Sequence, residues 1–281
     1  MMAAKAVSGF VKKFALGSAL LACTFSPSNG AEEIGATRKV INLVSGSLPG
    51  LQRTLDRGDP VFQDERISAA ANSSAQMVFK DGTRLAVGSS ASVVLDRFVY
   101  TGAGGSGTLV LNAAQGAFRF VTGKMPSRNY KIVTPASTIG VRGTMFDVFV
   151  GAIGETIVVL LRGETDVCNR ANQCRTLRNH CEAVRVEPTG QMTMGRGLSG
   201  QVLGGNAADS VAPFMYSQGS LVRSLQAPEH TIKTCLGASF GNPGGADREG
   251  FDAPNAPNRP EPSPRPELKD DINNGNFNDN F

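Results

Sequence analysis

Residues 75–87, Ala-Gln-Met-Val-Phe-Lys-Asp-Gly-Thr-Arg-Leu-Ala-Val, set the fold class. Met77 and Phe79 fall on one side of an extended segment, Leu85 and Val87 on one side of the next, and Asp81-Gly82 stands between them. Period-two alternation across a dipeptide that tolerates positive φ predicts a β-hairpin. The same rhythm continues outward. Val93 with Leu95, Leu109 with Leu111, Phe118 with Phe120, Tyr130 with Ile132, Phe146 with Val148, and Ile157 with Val159 and Leu161 each mark a short strand, with Gly, Asn or Asp between them. Helical spacing is missing from about Val61 to Val186, so the expectation is an all-β domain. Hairpins that alternate with crossovers between layers suggest a twisted stack of short strands, either solenoid-like or a two-layer sandwich.

The flanks divide the rest of the chain. Residues 1–31 read as a signal peptide: Lys5, Lys12 and Lys13 precede the apolar run Phe14 to Ala22, and Ser28-Asn29-Gly30-Ala31 offers a cleavage zone. Leu20-Leu21-Ala22-Cys23 reads alternatively as a lipobox with Cys23 lipidated, so cleavage near Ala31 and lipidation at Cys23 stand side by side. Residues 32–54 form an N-terminal extension, 55–190 the β domain, and 191–240 a Gly-rich and helical extension. There, Val211, Phe214, Met215, Gln218, Leu221, Val222 and Leu225 fall at helical spacing behind Asp209, which predicts one small amphipathic helix. Residues 241–281, dominated by Pro, Asn, Gly and Asp, lack the apolar content to offset ordering and predict a disordered tail.

The formal charge is +4, and three of those charges sit in the signal, which leaves the remainder at about +1. That balance argues against nucleic acid as a partner. Because the tail carries eight acids against four bases, the part between is mildly basic, at about +5.

Removing or lipidating Cys23 leaves Cys168, Cys174, Cys181 and Cys235, an even set in a compartment where disulfides persist. Cys168 and Cys174 bracket the loop Asn169 to Gln173, which suits a bridge across its mouth; of the three possible connectivities this one closes the shortest loop first and leaves Cys181 for Cys235, which would staple the extension to the β domain. Zinc held by Cys168, Cys174, His180 and Cys181 is the competing reading, disfavoured by the C-x5-C spacing. No metal and no cofactor is expected. Gly102 to Gly107 matches G-x-G-x-x-G on paper but leads into a strand, where a nucleotide site requires a helix. Two histidines, His180 and His230, and no nucleophile-elbow serine leave no parts for a Ser-His-Asp site. Asp59, Asp64 and Glu65 read as solvated turn carboxylates, so no catalytic residue is assigned.

Several segments taken in order carry a resemblance: Gly58 to Ile67, Ala75 to Leu85, Val94 to Tyr100, Gly116 to Phe120, and Ile132-Val133-Thr134-Pro135 running into Ile139-Gly140-Val141-Arg142-Gly143-Thr144-Met145-Phe146-Asp147-Val148. From about Leu55 to Val186 the chain resembles the FecR-domain family. The resemblance implies an extracytoplasmic β-rich module, known from regulators that relay transporter occupancy to a sigma factor. Those regulators carry a Trp-containing anti-sigma segment and one membrane span; this chain contains no Trp and is more similar to the secreted single-domain members. The implied role is binding or sensing at the periplasm or cell surface, with an envelope protein as partner. A glycan or peptidoglycan association is the alternative, and contact with a membrane comes only through a lipid anchor at Cys23. Asp81, Gly82, Gly140, Arg142, Gly143 and Thr144 are the candidate turn or contact residues, with Arg142 projecting outward or meeting a buried acid.

Overall fold

A computed structural model of the chain describes residues 31–102 and 107–237, which lie in one unit spanning Met1–Gly241. The signal peptide, Cys23, most of the loop Gly102 to Gly107 and the tail from 241 onward lie outside the described residues. No helix among the described residues is long and apolar enough to cross a membrane.

Fifteen strands form one hydrogen-bonded sheet. They are β1 (Glu33–Ile41), β2 (Val44–Leu48), β3 (Leu51–Thr54), β4 (Pro60–Phe62), β5 (Arg66–Ala69), β6 (Ser74–Phe79), β7 (Arg84–Val87), β8 (Ser92–Tyr100), β9 (Gly107–Val121), β10 (Tyr130–Val133), β11 (Ser137–Val150), β12 (Thr156–Asn169), β13 (Cys174–Leu177), β14 (Glu182–Val186) and β15 (Met192–Arg196). The hairpin predicted at 75–87 is β6–β7, with Met77 opposite Leu85 and Gly82 at φ +85°.

Three strands are unusually long, β9, β11 and β12, and each serves two neighbourhoods. The first half of β9 pairs with β8 and, in parallel, with β10; its second half pairs with β7 and β11. The early part of β11 pairs with β10, and its later part with β9. The early part of β12 pairs with β14, and its later part with β13. Each therefore turns a corner and crosses from one layer to the other, which settles the architecture as two layers rather than a solenoid. One layer runs β3-β2-β5-β8, then the first half of β9, β10, the first half of β11, the second half of β12 and β13. The other runs β4-β1-β6-β7, then the second half of β9, the second half of β11, the first half of β12, β14 and β15.

The corners have a local cause. Gly116, Gly143 and Gly163 carry φ of +91°, +65° and +87°, a backbone region that L side chains avoid. At each corner the alternation lapses into exposed residues, Ala114-Gln115, Arg142-Gly143 and Arg162-Gly163. Gly163 is also required sterically, because a Cβ there would sit 2.4 Å from the carbonyl oxygen of Gly143.

Between the layers lies an apolar core in which Met77, Phe79, Leu85, Phe118, Phe120, Phe146, Val148, Val158 and Leu160 of one layer meet Ile67, Val93, Leu95, Phe98, Leu109, Leu111, Tyr130 and Ile139 of the other. Phe79 stacks on Phe98 with ring centroids 6.0 Å apart, and Phe120 meets Tyr130 edge-on at 5.9 Å.

The second layer is covered on its outer side as well. Residues 198–237 lie over it and form a second apolar cluster: Ala86, Ala117, Val121, Met145, Ile157, Val159, Leu161 and Ala183 from the sheet against Leu198, Val202, Val211, Phe214, Met215, Leu221, Leu225 and Ile232. Burial on both faces explains the continuous apolar run Ile157–Leu161, in which odd positions face the cover and even positions the core.

The cover differs from the single helix predicted behind Asp209. It consists of α1 (Gly200–Leu203), α2 (Ala208–Val211), α3 (Pro213–Tyr216), 3₁₀ turns at Gln218–Ser220 and Arg223–Leu225, and α4 (Glu229–Gly237). Val211, Phe214, Met215, Leu221 and Leu225 are buried as their spacing implies. Pro213 breaks the backbone: it donates no hydrogen bond, and the residue before it, Ala212, takes φ −133° and ψ 59°. The small C-terminal helix of the fold is α4, outside that pattern. Residues 32–54, read as an extension, supply β1, which pairs with β4 and β6, β2, which pairs with β5, and β3, which pairs with β2.

Candidate binding site at the sheet corner

Asp81 and Gly82 form the β6–β7 turn, and their environment excludes a contact role for the carboxylate. Asp81 is fully buried. Its Oδ1 accepts from the Thr83 backbone N–H at 2.9 Å; its Oδ2 accepts from Thr83 Oγ1 at 2.6 Å and from the Tyr130 hydroxyl at 2.8 Å. Thr83 Oγ1 in turn accepts from Gly123 N at 3.0 Å, and the Tyr130 hydroxyl from Met125 N at 3.0 Å. The turn is a strut that ties both layers at one end of the sandwich. Burial, reinforced by the Asp81 carboxylate, pushes the Tyr130 hydroxyl up from 10.0 to about 12. A group that ionises with more difficulty when folded contributes stability fully below its unfolded value and loses it as pH rises through the folded one. A spectrophotometric phenolate titration should therefore show one tyrosine ionising near pH 12, with stability falling between about pH 10 and 12; Tyr130→Phe should remove that late step.

The segment Gly140-Val141-Arg142-Gly143-Thr144 is the corner of β11. Gly140 is an ordinary in-register strand residue, opposite Lys131 and Asp166, and a Cβ there would meet nothing closer than 3.9 Å. Gly143 alone bends the chain. Thr144 is buried just past the corner: its N–H donates to Thr122 Oγ1 at 3.0 Å and its carbonyl accepts from Thr122 N at 3.1 Å. Thr144 Oγ1 has no partner among the described residues. These two are shaping residues.

Arg142 is different. It projects outward, 62% exposed, and its guanidinium faces Glu164 at 3.5 Å and Asp166 at 3.3 Å, both partly exposed. The buried acid offered as its alternative partner is absent from this geometry. Glu164 also meets Arg178 at 3.6 Å, and Asp166 accepts from Thr176 Oγ1 at 2.6 Å. Ion pairs this exposed are worth about 0–1 kcal/mol each, so the arrangement orients charge more than it stabilises the fold. Beside it lies a concavity of about 420 Å³ lined by Ser127, Arg128, Tyr130, Gly140, Val141, Arg142 and Asp166.

That concavity opens onto the outer face of the first layer, which no element among the described residues covers. Arg66, Val94, Asn112, Val133, Thr138, Cys168 and Cys174 line up across it in hydrogen-bonded register. All seven are half-buried or exposed. Cys168 and Cys174 are joined at the end of this row, directly opposite one another on β12 and β13. Cys181 is bonded to Cys235 of α4, which fastens the cover to the sheet. With all four sulfurs in disulfides, the zinc reading has no thiolates, and no cluster of three or more metal-type ligands occurs among the described residues.

Sequence reasoning missed the polar pegs under the cover. Arg119 and Asp147 face each other on β9 and β11, fully buried, with Nε to Oδ1 at 2.6 Å and Nη2 to Oδ2 at 2.7 Å. Arg119 Nη1 also donates to the Leu225 carbonyl at 3.3 Å, and its guanidinium lies 5.7 Å from the Phe214 ring centroid. Gln76 donates to the Ser220 carbonyl at 2.9 Å and accepts from Val222 N at 2.7 Å; Lys39 donates to the same Ser220 carbonyl at 2.6 Å. Charged and amide residues on the outward side of a strand signal solvent by default, and only their clustering in register hinted otherwise.

The fold and its open face define an all-β sandwich module with one side sealed by its own C-terminal segment. Residues 65–166 match the family model described as FecR protein. The match includes the Asp81 strut and the Arg142 corner and leaves out β1 to β4, all four bonded cysteines and the cover. No curated protein matches the chain. Two crystal structures from Parabacteroides distasonis, provisionally described as anti-sigma factors, are similar to it. One has 16% identity and a TM-score of 0.41 over 54% of this chain and 64% of that one; the other has 15% identity and a TM-score of 0.40 over 61% and 74%. The chain thus spans just under two thirds of the first.

Proposed function

We propose that this protein is an exported, non-catalytic binding or sensing module of FecR type that works by protein–protein contact in the cell envelope, with the open layer as its contact surface. The observation that carries the reading is the asymmetry of the two layers. One is closed on its outer side by residues 198–237, whereas the other presents a sheet face that no described residue covers, ending at the exposed Arg142 and its concavity. A folded, flat face with an oriented charge at its rim suits recognition of another surface. Two disulfides support an oxidising compartment, in keeping with the signal-like start of the chain. The regulatory character of the module rests on the FecR match.

Site-specific photo-crosslinking in intact cells tests this. A photoreactive residue at Thr138 should trap one envelope protein, and Arg142→Ala should weaken the isolated complex at least about tenfold, the loss of an oriented charge at such a rim, while lowering the unfolding free energy by no more than about 1–2 kcal/mol, the worth of two exposed ion pairs. Crosslinks obtained only from positions in the cover, or co-sedimentation with purified peptidoglycan in place of a protein partner, would defeat the proposal.

A further inference from the structure

We propose a second site, for a phosphate-class oxyanion, in the groove between the β12 corner, the loop joining β13 to β14, and the start of α4. The chain has only two histidines, fifty residues apart, and the fold brings both to this groove. The His180 and His230 rings meet edge-on with centroids 6.4 Å apart. The cause is the neighbouring bridge: Cys181 adjoins His180, and Cys235 lies one and a half turns beyond His230 on α4.

The groove, about 350 Å³, is walled by Arg162, Arg178, Asn179, His180, His230 and Thr231 together with apolar and glycine positions, and no carboxylate lines it. Acids nearby stand at the rim, each already engaged, two of them with groove residues. Glu164 lies between Arg142 and Arg178; Glu182 accepts from the Arg178 and Asn179 backbone N–H groups and the Asn179 side chain; Glu229 pairs with Lys233 at 2.7 Å. The Arg162 side chain has no hydrogen-bond or ion-pair partner among the described residues.

An unpaired guanidinium, a second one held only loosely at 3.6 Å and two imidazoles, that of His230 steadied by the buried Thr231 hydroxyl at 3.3 Å, converge from three elements to form a donor-rich concavity. Phosphate matches it by presenting several acceptor oxygens at once to planar, forked donors. The groove exceeds the volume of the anion alone, so a phosphate monoester fits the same chemistry. A metal does not, because both histidines would stand without a third ligand. None of these side chains lines the concavity beside Arg142, and although Glu164 links Arg178 to Arg142, Arg162 and Arg128 belong to one concavity each and separate the two sites.

Because the protein has two imidazoles, its histidine Hε1 signals form a two-line reporter in an NMR titration of the intact, oxidised chain. Inorganic phosphate should shift both lines saturably, whereas sodium chloride at equal ionic strength should not. Arg162→Ala should weaken the phosphate affinity at least about tenfold, the worth of one charge-assisted contact, Arg162→Lys should retain part of it, and Arg128→Ala, in the other concavity, should leave it unchanged. Equal shifts with chloride, no saturation, or full affinity in Arg162→Ala would overturn the site.

Discussion

Asp147→Ala should lower the unfolding free energy by about 3–5 kcal/mol, the cost of leaving one partner of a buried ion pair uncompensated. With Asp147 removed, the Arg119 guanidinium retains only the Leu225 carbonyl at 3.3 Å and the face of Phe214. Neither neutralises a full charge that is wholly shielded from water. Against a typical total of about 5–15 kcal/mol, the single variant should show a large drop in urea midpoint. Replacing both residues by apolar ones of similar length, Arg119→Met with Asp147→Leu, should recover most of the loss, because the desolvation cost disappears with the pair. A double variant as unstable as the single one would show that the contact with the cover, rather than the buried charge, dominates.

The two disulfides should differ in worth. In the chain-entropy description, a bridge restricts the unfolded chain in proportion to the logarithm of the loop it closes. Cys181–Cys235 spans 54 residues and Cys168–Cys174 spans 6, which gives about 4 against about 2 kcal/mol. Cys181→Ser with Cys235→Ser should therefore cost roughly twice as much stability as the matching pair at 168 and 174. The location of the loss should differ too: α4 has one modest apolar stripe, with Ile232 and Cys235 buried, so without its bridge the amides of 229–237 should exchange with solvent well ahead of the sheet. Equal costs, or unchanged protection of α4, would contradict this assignment.

Much of the sandwich was legible because its central hairpins obey two local rules at once. Alternation placed Met77, Phe79, Leu85 and Val87 inward, and Asp81-Gly82 supplied the turn chemistry, so pattern and turn agreed. The strands of 32–54 were hidden for the opposite reason. In β1, Gly35 lies against the Val78 backbone, where a Cβ would meet its oxygen at 2.4 Å, and Lys39 turns to the cover, so small and charged residues replace the alternation that marks a strand. The Val211–Leu225 pattern reported burial faithfully and backbone poorly, because a periodic apolar stripe can be presented by successive short turns as well as by one helix, and Pro213 enforced the former. At the candidate site, Arg142 was readable as an outward residue from its place between glycines. The groove of His180 and His230 was not, since the Cys181–Cys235 pairing brings the two segments together without telling which side of each segment Arg162 and the two histidines share. Arg119 and Asp147 were opaque because the segment that buries them arrives much later in the chain, with Leu225 106 residues beyond Arg119.

The corners at Gly116, Gly143 and Gly163 mean that three continuous backbones run through both halves of the sandwich. The halves cannot open like pages, since their spine is covalent. Whatever grips the bare sheet thus holds the same polypeptide rods that, a few residues past each glycine, form the floor beneath the sealed side.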